Sequence, residues 1–281
     1  MRPIEERIRQ SLTAGQEELW RLIRDPHPEV LTNALYNPHF SEEMAVSVAK
    51  RRNVPSEVLG LLADDRRFRD NYKLKVALSR NPKTPVRAIF SLLKHIHILD
   101  LSDITRDRNV PVTVRQRVEV MITDRLKGMP SGILKALSRR ASASIILAIM
   151  EKGDEGAIRI CLDSPSLTEG NLCRIINRQA TPGPVVRQIA SHQKWSLRYY
   201  VRFALIRNFH TPMTEVVKFI RTMKTTDLRD LYADPKLPAA TRPFIFREFQ
   251  ERGESPGHPP DRTYRLSDDD DTLIRSAGDD V

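Results

Sequence analysis

Hydrophobic positions recur every three or four residues along most of the chain. Between residues 86 and 96, Val86, Ile89, Phe90 and Leu93 follow the spacing of a single helical face. No segment alternates apolar and polar residues with a period of two, and no Asn-Gly or Asp-Gly hairpin turn occurs in the sequence. The pattern therefore predicts an all-α chain of short helices.

Proline and asparagine mark the boundaries between these helices, as the segment ALSRNPKTP at 77–85 illustrates. A helix is predicted to end near Arg80, and Asn81 is predicted to close it in the left-handed conformation. Thr84 is predicted to cap the next helix through its side chain, with Pro85 at the first helical position.

A similar segment, ALIRNFHTP, occurs 127 residues later, at 204–212. When the sequence is aligned with itself at that offset and without gaps, 24 of 127 positions are identical. Chance would give roughly eight identities at ordinary composition. The sequence therefore predicts two copies, 1–127 and 128–254, followed by a tail at 255–281.

Each copy contains a shorter period that is marked by prolines. Pro55, Pro85 and Pro111 mark it in the first copy, and the second copy keeps the same spacings. The intervals between these prolines fall in the range of about 20 to 50 residues that is typical of stacked structural repeats.

The Asn-Pro-x-Thr-Pro turn at 81–85 and the stretch DRNVPVTVR at 107–115 resemble the bacterial HEAT-like and leucine-rich-repeat-variant proteins. The resemblance covers most of 14–250. It implies an armadillo-like α-solenoid of HEAT-like repeats, which this chain would carry in duplicate with the 127-residue offset. The resemblance is specific for architecture and not for function, because folds of this kind serve many partners.

Charge is distributed unevenly. The whole chain carries +10, and residues 255–281 contain seven Asp and three Arg, a balance of −4, so that residues 1–254 carry +14. Such a surface is either a solvated basic exterior or a binding face for nucleic acid or an acidic partner. We expect the acidic tail to remain without packed structure and to screen the basic body.

Localisation signals are weak. No run of about 18 apolar residues is present, so we expect no membrane span. The amino-terminal residues are charged, and we expect no secretion signal. Cys161 and Cys173 do not form a disulfide framework, and we expect reduced thiols in a cytoplasmic protein.

Signatures of catalysis, phosphate loops and metal sites are absent from the sequence. We therefore predict a chain that is not an enzyme and that has no cofactor and no metal. Asp100, Asp103 and Asp107 recur in the second copy, and such carboxylates either bind a metal or stabilise helix ends. We interpret them as structural, with Asp107 paired to Arg115. His95 and His97 lie two positions apart and would point to different helical faces.

The retained arginines and aromatic residues are the candidate binding residues. Arg51 and its counterpart Arg178 have no evident intramolecular role, and further cations lie near both. Tyr72 with Phe68, and Tyr199 with Trp195, form either a stacking platform or core contacts. The predicted binding face consists of Arg51, Arg66, Arg67, Arg69, Arg178, Lys194, Arg198, Tyr72, Tyr199 and Trp195.

Two functions are open on these observations. The first is a non-catalytic scaffold that binds a protein or peptide partner along its surface. The alternative is a nucleic-acid-binding protein that uses a basic concave face, with a base-excision enzyme the less favoured form of that alternative.

Overall fold

The structure is a computed structural model that describes residues 3–256. The all-α prediction is confirmed for this part of the chain, which contains eighteen α-helices, two 3-10 turns and no strand. The acidic run of the tail, and with it the predicted screening of the body, lies outside the described residues.

The chain divides into two compact units, Met1–Leu167 and Thr168–Val281. Helices α10 to α12 belong to the second predicted copy by sequence, yet α10 packs on α8 and α11 packs on α9 within the first unit. The division between the units therefore falls inside the second copy rather than at residue 127.

Twelve helices form the first unit. They are α1 (Ile4–Thr13), α2 (Gln16–Leu22), α3 (Pro28–Tyr36), α4 (Glu42–Lys50), α5 (Ser56–Asp64), α6 (Tyr72–Arg80), α7 (Val86–Leu93), α8 (Ile98–Arg106), α9 (Val112–Arg125), α10 (Ser131–Ser138), α11 (Ala143–Met150) and α12 (Glu155–Leu162), with a 3-10 turn at Arg66–Phe68.

Helices in the first unit pack on their second neighbours along the chain. Helices α4, α6, α8, α10 and α12 form one contacting series, which we call a layer. Helices α1, α3, α5, α7, α9 and α11 form the other layer. The two series also touch each other, for example at α8 and α9. An α-solenoid is compatible with this packing.

Six helices form the second unit among the described residues. They are α13 (Glu169–Ile176), α14 (Gly183–Ser191), α15 (Tyr199–Ile206), α16 (Met213–Ile220), α17 (Thr225–Ala233) and α18 (Arg242–Glu251), with a 3-10 turn at Ala239–Thr241. Helix α15 packs on α13, α14 and α16, and α18 packs on α16 and α17.

Helix starts follow the sequence offset. Each of α1 to α8 begins at the position that the 127-residue offset carries onto the start of the corresponding helix of α10 to α17. Helix α9 begins at Val112, and the equivalent position, Ala239, begins the 3-10 turn that leads into α18. At three of these eight pairs a repeated proline stands immediately before the helix, namely Pro3 and Pro130, Pro55 and Pro182, and Pro85 and Pro212.

The apolar stripe of α7 is only partly buried. Ile89 and Leu93 are inaccessible to solvent, whereas Val86 and Phe90 are 41% and 38% exposed. A helix in a two-layer stack covers a narrow strip against its partners, so that the edges of a wide stripe stay in water.

Asn81 does not have the left-handed conformation that was predicted for it. Asn81 has φ −81° and ψ 121°, and no described residue other than glycine has positive φ. The extended backbone lets the Asn81 side chain reach the preceding helix of its layer, where its Nδ2 donates to the carbonyls of Ala49 and Arg51 at 2.7 and 2.8 Å. The amide thereby satisfies two carbonyls at the end of α4.

The predicted threonine caps are wrong as well. Pro85 and Pro212 themselves occupy the N-cap positions of α7 and α16, and neither helix has a side-chain cap. Thr211 instead donates its hydroxyl backwards, to the carbonyl of Leu205 at 2.6 Å. This threonine thus closes the helix that ends rather than opening the one that begins.

Candidate binding grooves

A groove lies in the first unit where α4, α6 and α8 end. Its cavity has a volume of about 450 Å³. We call it the first groove, and its lining residues are Ala49, Lys50, Arg52, Tyr72, Lys73, Val76, Ala77, Arg80, Asn81, Pro82, Asp100, Asp107 and Asn109.

Polar contacts fix the walls of the first groove. The Arg80 guanidinium donates to Asp107 at 3.3 Å, and the Tyr72 hydroxyl donates to the Asp100 carboxylate. The same Tyr72 oxygen accepts the backbone N–H of His97 at 3.2 Å. These bonds join α6 to α8 and orient every aromatic and acidic side chain in the groove.

Asp107 was predicted to pair with Arg115, and that prediction is wrong. Its partner is Arg80, whereas the Arg115 Nε donates to the carbonyl of Val110 at 3.2 Å. In the second unit Asp234 likewise pairs with Arg207, at 2.5 Å. In both units the arginine at the end of one helix therefore reaches the turn that follows the second helix after it in the chain.

Three cations of the first groove are exposed and have no ionic or hydrogen-bonding partner within residues 3–256. They are Lys50, Arg52 and Lys73. Lys50 lies in the last turn of α4, where the helix dipole favours a cation. Lys73 lies in the first turn of α6, which contains no acidic residue, and the dipole disfavours a cation there. The helix therefore gains no stability from the charge of Lys73.

Another cavity of the first unit, of about 590 Å³, adjoins the first groove. It shares Lys50, Tyr72 and Lys73 with the first groove, and it is also lined by Glu42 and Glu43. The surface along α4 and α6 therefore has an acidic end and a cationic end.

The second unit has its own groove where α13, α15 and α17 end, with a cavity of about 720 Å³. We call it the second groove, and its lining residues are Ile176, Asn177, Arg178, Gln179, Ala204, Arg207, Asn208, Phe209 and Lys236.

The second groove is built by the same bonds as the first. The Asn208 Nδ2 donates to the carbonyl of Ile176 at 2.6 Å, and Ile176 is the position equivalent to Ala49. Outside the lining of the second groove, the Tyr199 hydroxyl donates to Asp227 and accepts the backbone N–H of Lys224 at 3.1 Å, as Tyr72 does with Asp100 and His97 in the first unit.

Eight lining positions of the first groove have an equivalent, at the 127-residue offset, that lines the second. Ala77, Arg80 and Asn81 keep their identity. The side chains that would meet a ligand differ more. The changed pairs are Ala49 and Ile176, Lys50 and Asn177, Arg52 and Gln179, Pro82 and Phe209, and Asn109 and Lys236.

The recurring aspartates are engaged in protein contacts. Asp100 was expected at a helix cap, but it lies inside α8 and accepts the Tyr72 hydroxyl. Asp103 accepts from the Nε of Arg140 at 3.0 Å. Within the described residues, no cluster of His, Cys, Asp and Glu has the arrangement of a metal site.

Arg51 has an intramolecular role that the sequence did not reveal. Its guanidinium donates to the carbonyls of Ile23, Arg24 and Asp25, the last two at 3.2 and 3.5 Å. Arg51 therefore closes the carboxyl end of α2 and does not line the first groove. Its counterpart Arg178 does line the second groove.

The arginines around residue 67 lie away from the first groove. Arg67 pairs with Asp65 at 2.7 Å and also donates to the carbonyl of Leu35. Arg69 lines a different cavity of the first unit, and Arg66 is exposed.

Aromatic candidates are mostly committed to packing. Trp195 is 3% exposed and carries the Lys194 ammonium 4.1 Å above its ring centroid. Phe68 lies in a 3-10 turn and Tyr72 begins α6, so the two side chains do not share a helix face. Tyr199 and Arg198 stand at the start of α15, outside the second groove lining.

Sequence reasoning missed most of the groove residues. Of the ten candidates, Tyr72 and Arg178 line the two grooves. Phe209 gave a usable signal, since the repeated phrase reads Asn-Pro-Lys in one copy and Asn-Phe-His in the other. The cations at the ends of α4 and α6 gave none, because Lys and Arg are common at helix ends.

Several groups have altered proton affinities. Burial and the neighbouring Asp100 carboxylate raise the pKa of Tyr72, so the hydroxyl stays protonated. Burial opposes ionisation of Asp107, yet hydrogen bonds from Asn109 and Arg80 lower its pKa overall. Burial raises the pKa of Cys161 to about 11, which keeps this thiol protonated at neutral pH.

Comparison of the chain with protein-family models, with curated proteins and with solved structures finds no match. None of the described helices combines the length and the apolar character needed to cross a membrane.

Proposed function

We propose that this protein is a non-catalytic scaffold that binds an extended, acidic segment of a protein partner in its first groove. The scaffold is an internally duplicated HEAT-like α-solenoid of the cytoplasm. The common helix starts at the 127-residue offset support the duplication, and the packing of second neighbours supports the solenoid. The free thiols of Cys161 and Cys173 support a reducing compartment.

The main support for this proposal is the excess of cations in the first groove. Four basic side chains line it against two carboxylates, and both carboxylates are bonded to groove residues, Asp100 to Tyr72 and Asp107 to Arg80. Lys73 stands where the α6 dipole opposes it. A carboxylate ligand would compensate that charge.

The acidic neighbouring cavity favours a protein segment over a nucleic acid strand. A phosphate backbone is uniformly negative and would meet Glu42 and Glu43 on leaving the first groove. A peptide can present acids to Lys50 and Lys73 and a basic or neutral residue beyond them. Tyr72 offers little surface to a stacked base, because its ring is partly buried and its hydroxyl is bonded to Asp100 and to the backbone of His97.

The lining of both grooves supports a binding role without catalysis. Neither lining contains a histidine, cysteine or serine, and the two carboxylates of the first groove are bonded to Tyr72 and Arg80. The buried thiol of Cys161 is held protonated by its raised pKa.

Charge reversal in the first groove tests the proposal. We expect the double variant Arg52→Glu/Lys73→Glu to weaken binding of a labelled, glutamate-rich peptide by about tenfold or more, since each reversal replaces an attraction by a repulsion. Fluorescence anisotropy at low and physiological salt measures the affinity. Both side chains are exposed, so the fold is expected to remain intact.

Arg87→Glu/Lys94→Glu is the matched control, because both residues are exposed on the first unit and line neither groove. The control should bind the peptide nearly as well as the wild type. Equal losses in the two double variants would show that binding follows net charge alone, and the groove assignment would be abandoned.

A further inference from the structure

The helix-ending turns of this protein share a construction in which a side-chain oxygen accepts the N–H two positions later. Asn81, for instance, accepts from Lys83 at 3.0 Å, and Asn208 accepts from His210 at 2.9 Å. The residue between acceptor and donor is the tip of the turn. Turns of this kind in residues 3–256 have tips at Pro26, Pro38, Arg66, Pro82, Arg108, Pro165, Phe209 and Pro235.

Phe209 is the one aromatic tip among these described turns. Proline suits the position because its fixed φ stiffens the turn, and arginine is readily solvated. Phe209 is 68% exposed, so its ring contributes little to folding through burial. Stability therefore does not explain a phenyl ring at this position.

The ring of Phe209 is held in place although it is exposed. Its centroid lies 3.9 Å from that of His210, which packs against it with a tilt of 39°. Asn208, which anchors the turn to the end of α13, fixes the backbone beneath it. An exposed aromatic surface that lines a cavity is suited to stacking.

The other lining residues of the second groove complement a stacked base. Asn177 and Gln179 replace Lys50 and Arg52 of the first groove, and amides carry both donors and acceptors for base edges. Lys236 is exposed and its ammonium has no partner among the described residues, so it is available to a phosphate. The cavity of about 720 Å³ is large enough for a nucleotide.

The geometry points to a binding site for single-stranded nucleic acid in the second groove, with a base stacked on Phe209 and a phosphate at Lys236. This site goes beyond the proposed function, because the ligand and the groove are different. The two grooves share their frame and have diverged in the side chains that meet a ligand. The same chain would then connect an acidic protein segment with a nucleic acid strand.

Anisotropy with a labelled oligothymidylate of about 12 nucleotides tests the site in the full chain. We expect Phe209→Ala to weaken binding about five- to a hundredfold, the range that removal of one stacked base usually produces. Phe209→Tyr keeps a ring and should retain most of the affinity. Phe209→Pro restores the residue found at most of the other tips, so it keeps the turn and should bind as weakly as Phe209→Ala.

A strand of equal length and charge that lacks bases separates stacking from electrostatics. The wild type should bind this abasic strand as weakly as Phe209→Ala binds oligothymidylate, and Phe209→Ala should not distinguish the two strands. Photocrosslinking of a thio-substituted thymidine should modify the peptide that contains Phe209. Arg87→Glu/Lys94→Glu is the control variant, because both residues are exposed and line neither groove, and it should leave the preference for bases unchanged.

Equal binding of the two strands by the wild type would overturn the site, as would equal affinities of wild type and Phe209→Ala for oligothymidylate. Binding of a glutamate-rich peptide that depends on Phe209 would assign the groove to protein instead. Failure of the peptide experiment on the first groove leaves these outcomes unaffected, so the two proposals can fail separately.

Discussion

At the scale of the residue, single side chains connect successive helices of a layer. Asp107 illustrates the device, since its carboxylate accepts from Arg80 and from the backbone and side chain of Asn109. These bonds lower its pKa against the opposing effect of burial. An Asp whose folded-state pKa lies below its unfolded value of about 3.9 stabilises the fold above that value. The contribution is lost as the pH falls through the lowered pKa.

We therefore expect Asp107→Asn to lower the free energy of unfolding at pH 7 by about 1 kcal/mol, because Arg80 and Asp107 are partly exposed and solvent screens the pair. Urea unfolding from pH 7 down to pH 3 measures the difference, which should shrink as wild-type Asp107 becomes protonated. Asp124→Asn, at an exposed position without a partner in the described residues, should change little. A difference that persists undiminished at low pH would contradict the ion-pair explanation.

At the scale of the element, the turn that follows each helix, here called its corner, determines how the next helix is placed. Asn37, Asn81 and Asn208 each send an amide back to carbonyls at the preceding corner of their layer. Each amide thereby ties together distant parts of the chain, as in the bond of Asn81 to Ala49 with a sequence separation of 32. The grooves lie at these corners, so the same bonds that stack the helices also shape the sites.

We expect Asn208→Ala to reduce the stability of the second unit by about 1–3 kcal/mol, since it leaves the carbonyl of Ile176 without its donor. Thermal unfolding of the full chain, followed by tryptophan fluorescence and circular dichroism, measures the loss. Asn177→Ala is the matched control, because this asparagine lies at the end of α13 but is exposed and makes no side-chain bond within the described residues. Similar effects of the two substitutions would show that the corner bond is unimportant.

At the scale of the whole molecule, charge is separated along the chain. Residues 1–254 carry +14 and the tail carries −4, because it contains seven Asp and three Arg. Long-range attraction at low ionic strength follows from such a distribution and weakens as the Debye length shortens. An acidic tail would compete with any acidic ligand for the basic body.

Deletion of residues 257–281 should therefore tighten binding of a polyanion severalfold at low salt, and the difference should shrink as salt is added. Replacement of Asp268–Asp271 by Asn in the full-length chain should have a similar but smaller effect. Titration of heparin or oligothymidylate over a range of salt measures both. Unchanged affinity after the deletion would reject competition by the tail.

Patterns along the chain alone predict the helical class and, to within one residue, the starts of those helices that follow a proline. Both depend on local chemistry, namely the apolar spacing of 86–96 and the prolines that stand before helices such as α7 and α16. The end of α6 at Arg80 was also predicted, although Asn81 does not have the left-handed conformation on which that prediction rested. Structure that depends on residues close together in the sequence can be predicted from the sequence pattern.

The partners of the corner residues and the positions of the grooves follow from packing in three dimensions, which no local pattern in the sequence records. Arg51, Arg80 and Asn81 find partners far away along the chain, and sequence spacing does not reveal which of several donors reaches a given acceptor. The first groove exists because three helices of one layer end together, which is a property of packing. Phe209 is the exception, since its substitution for proline is visible in the repeated phrase, but its exposure beside a cavity is visible only in the fold.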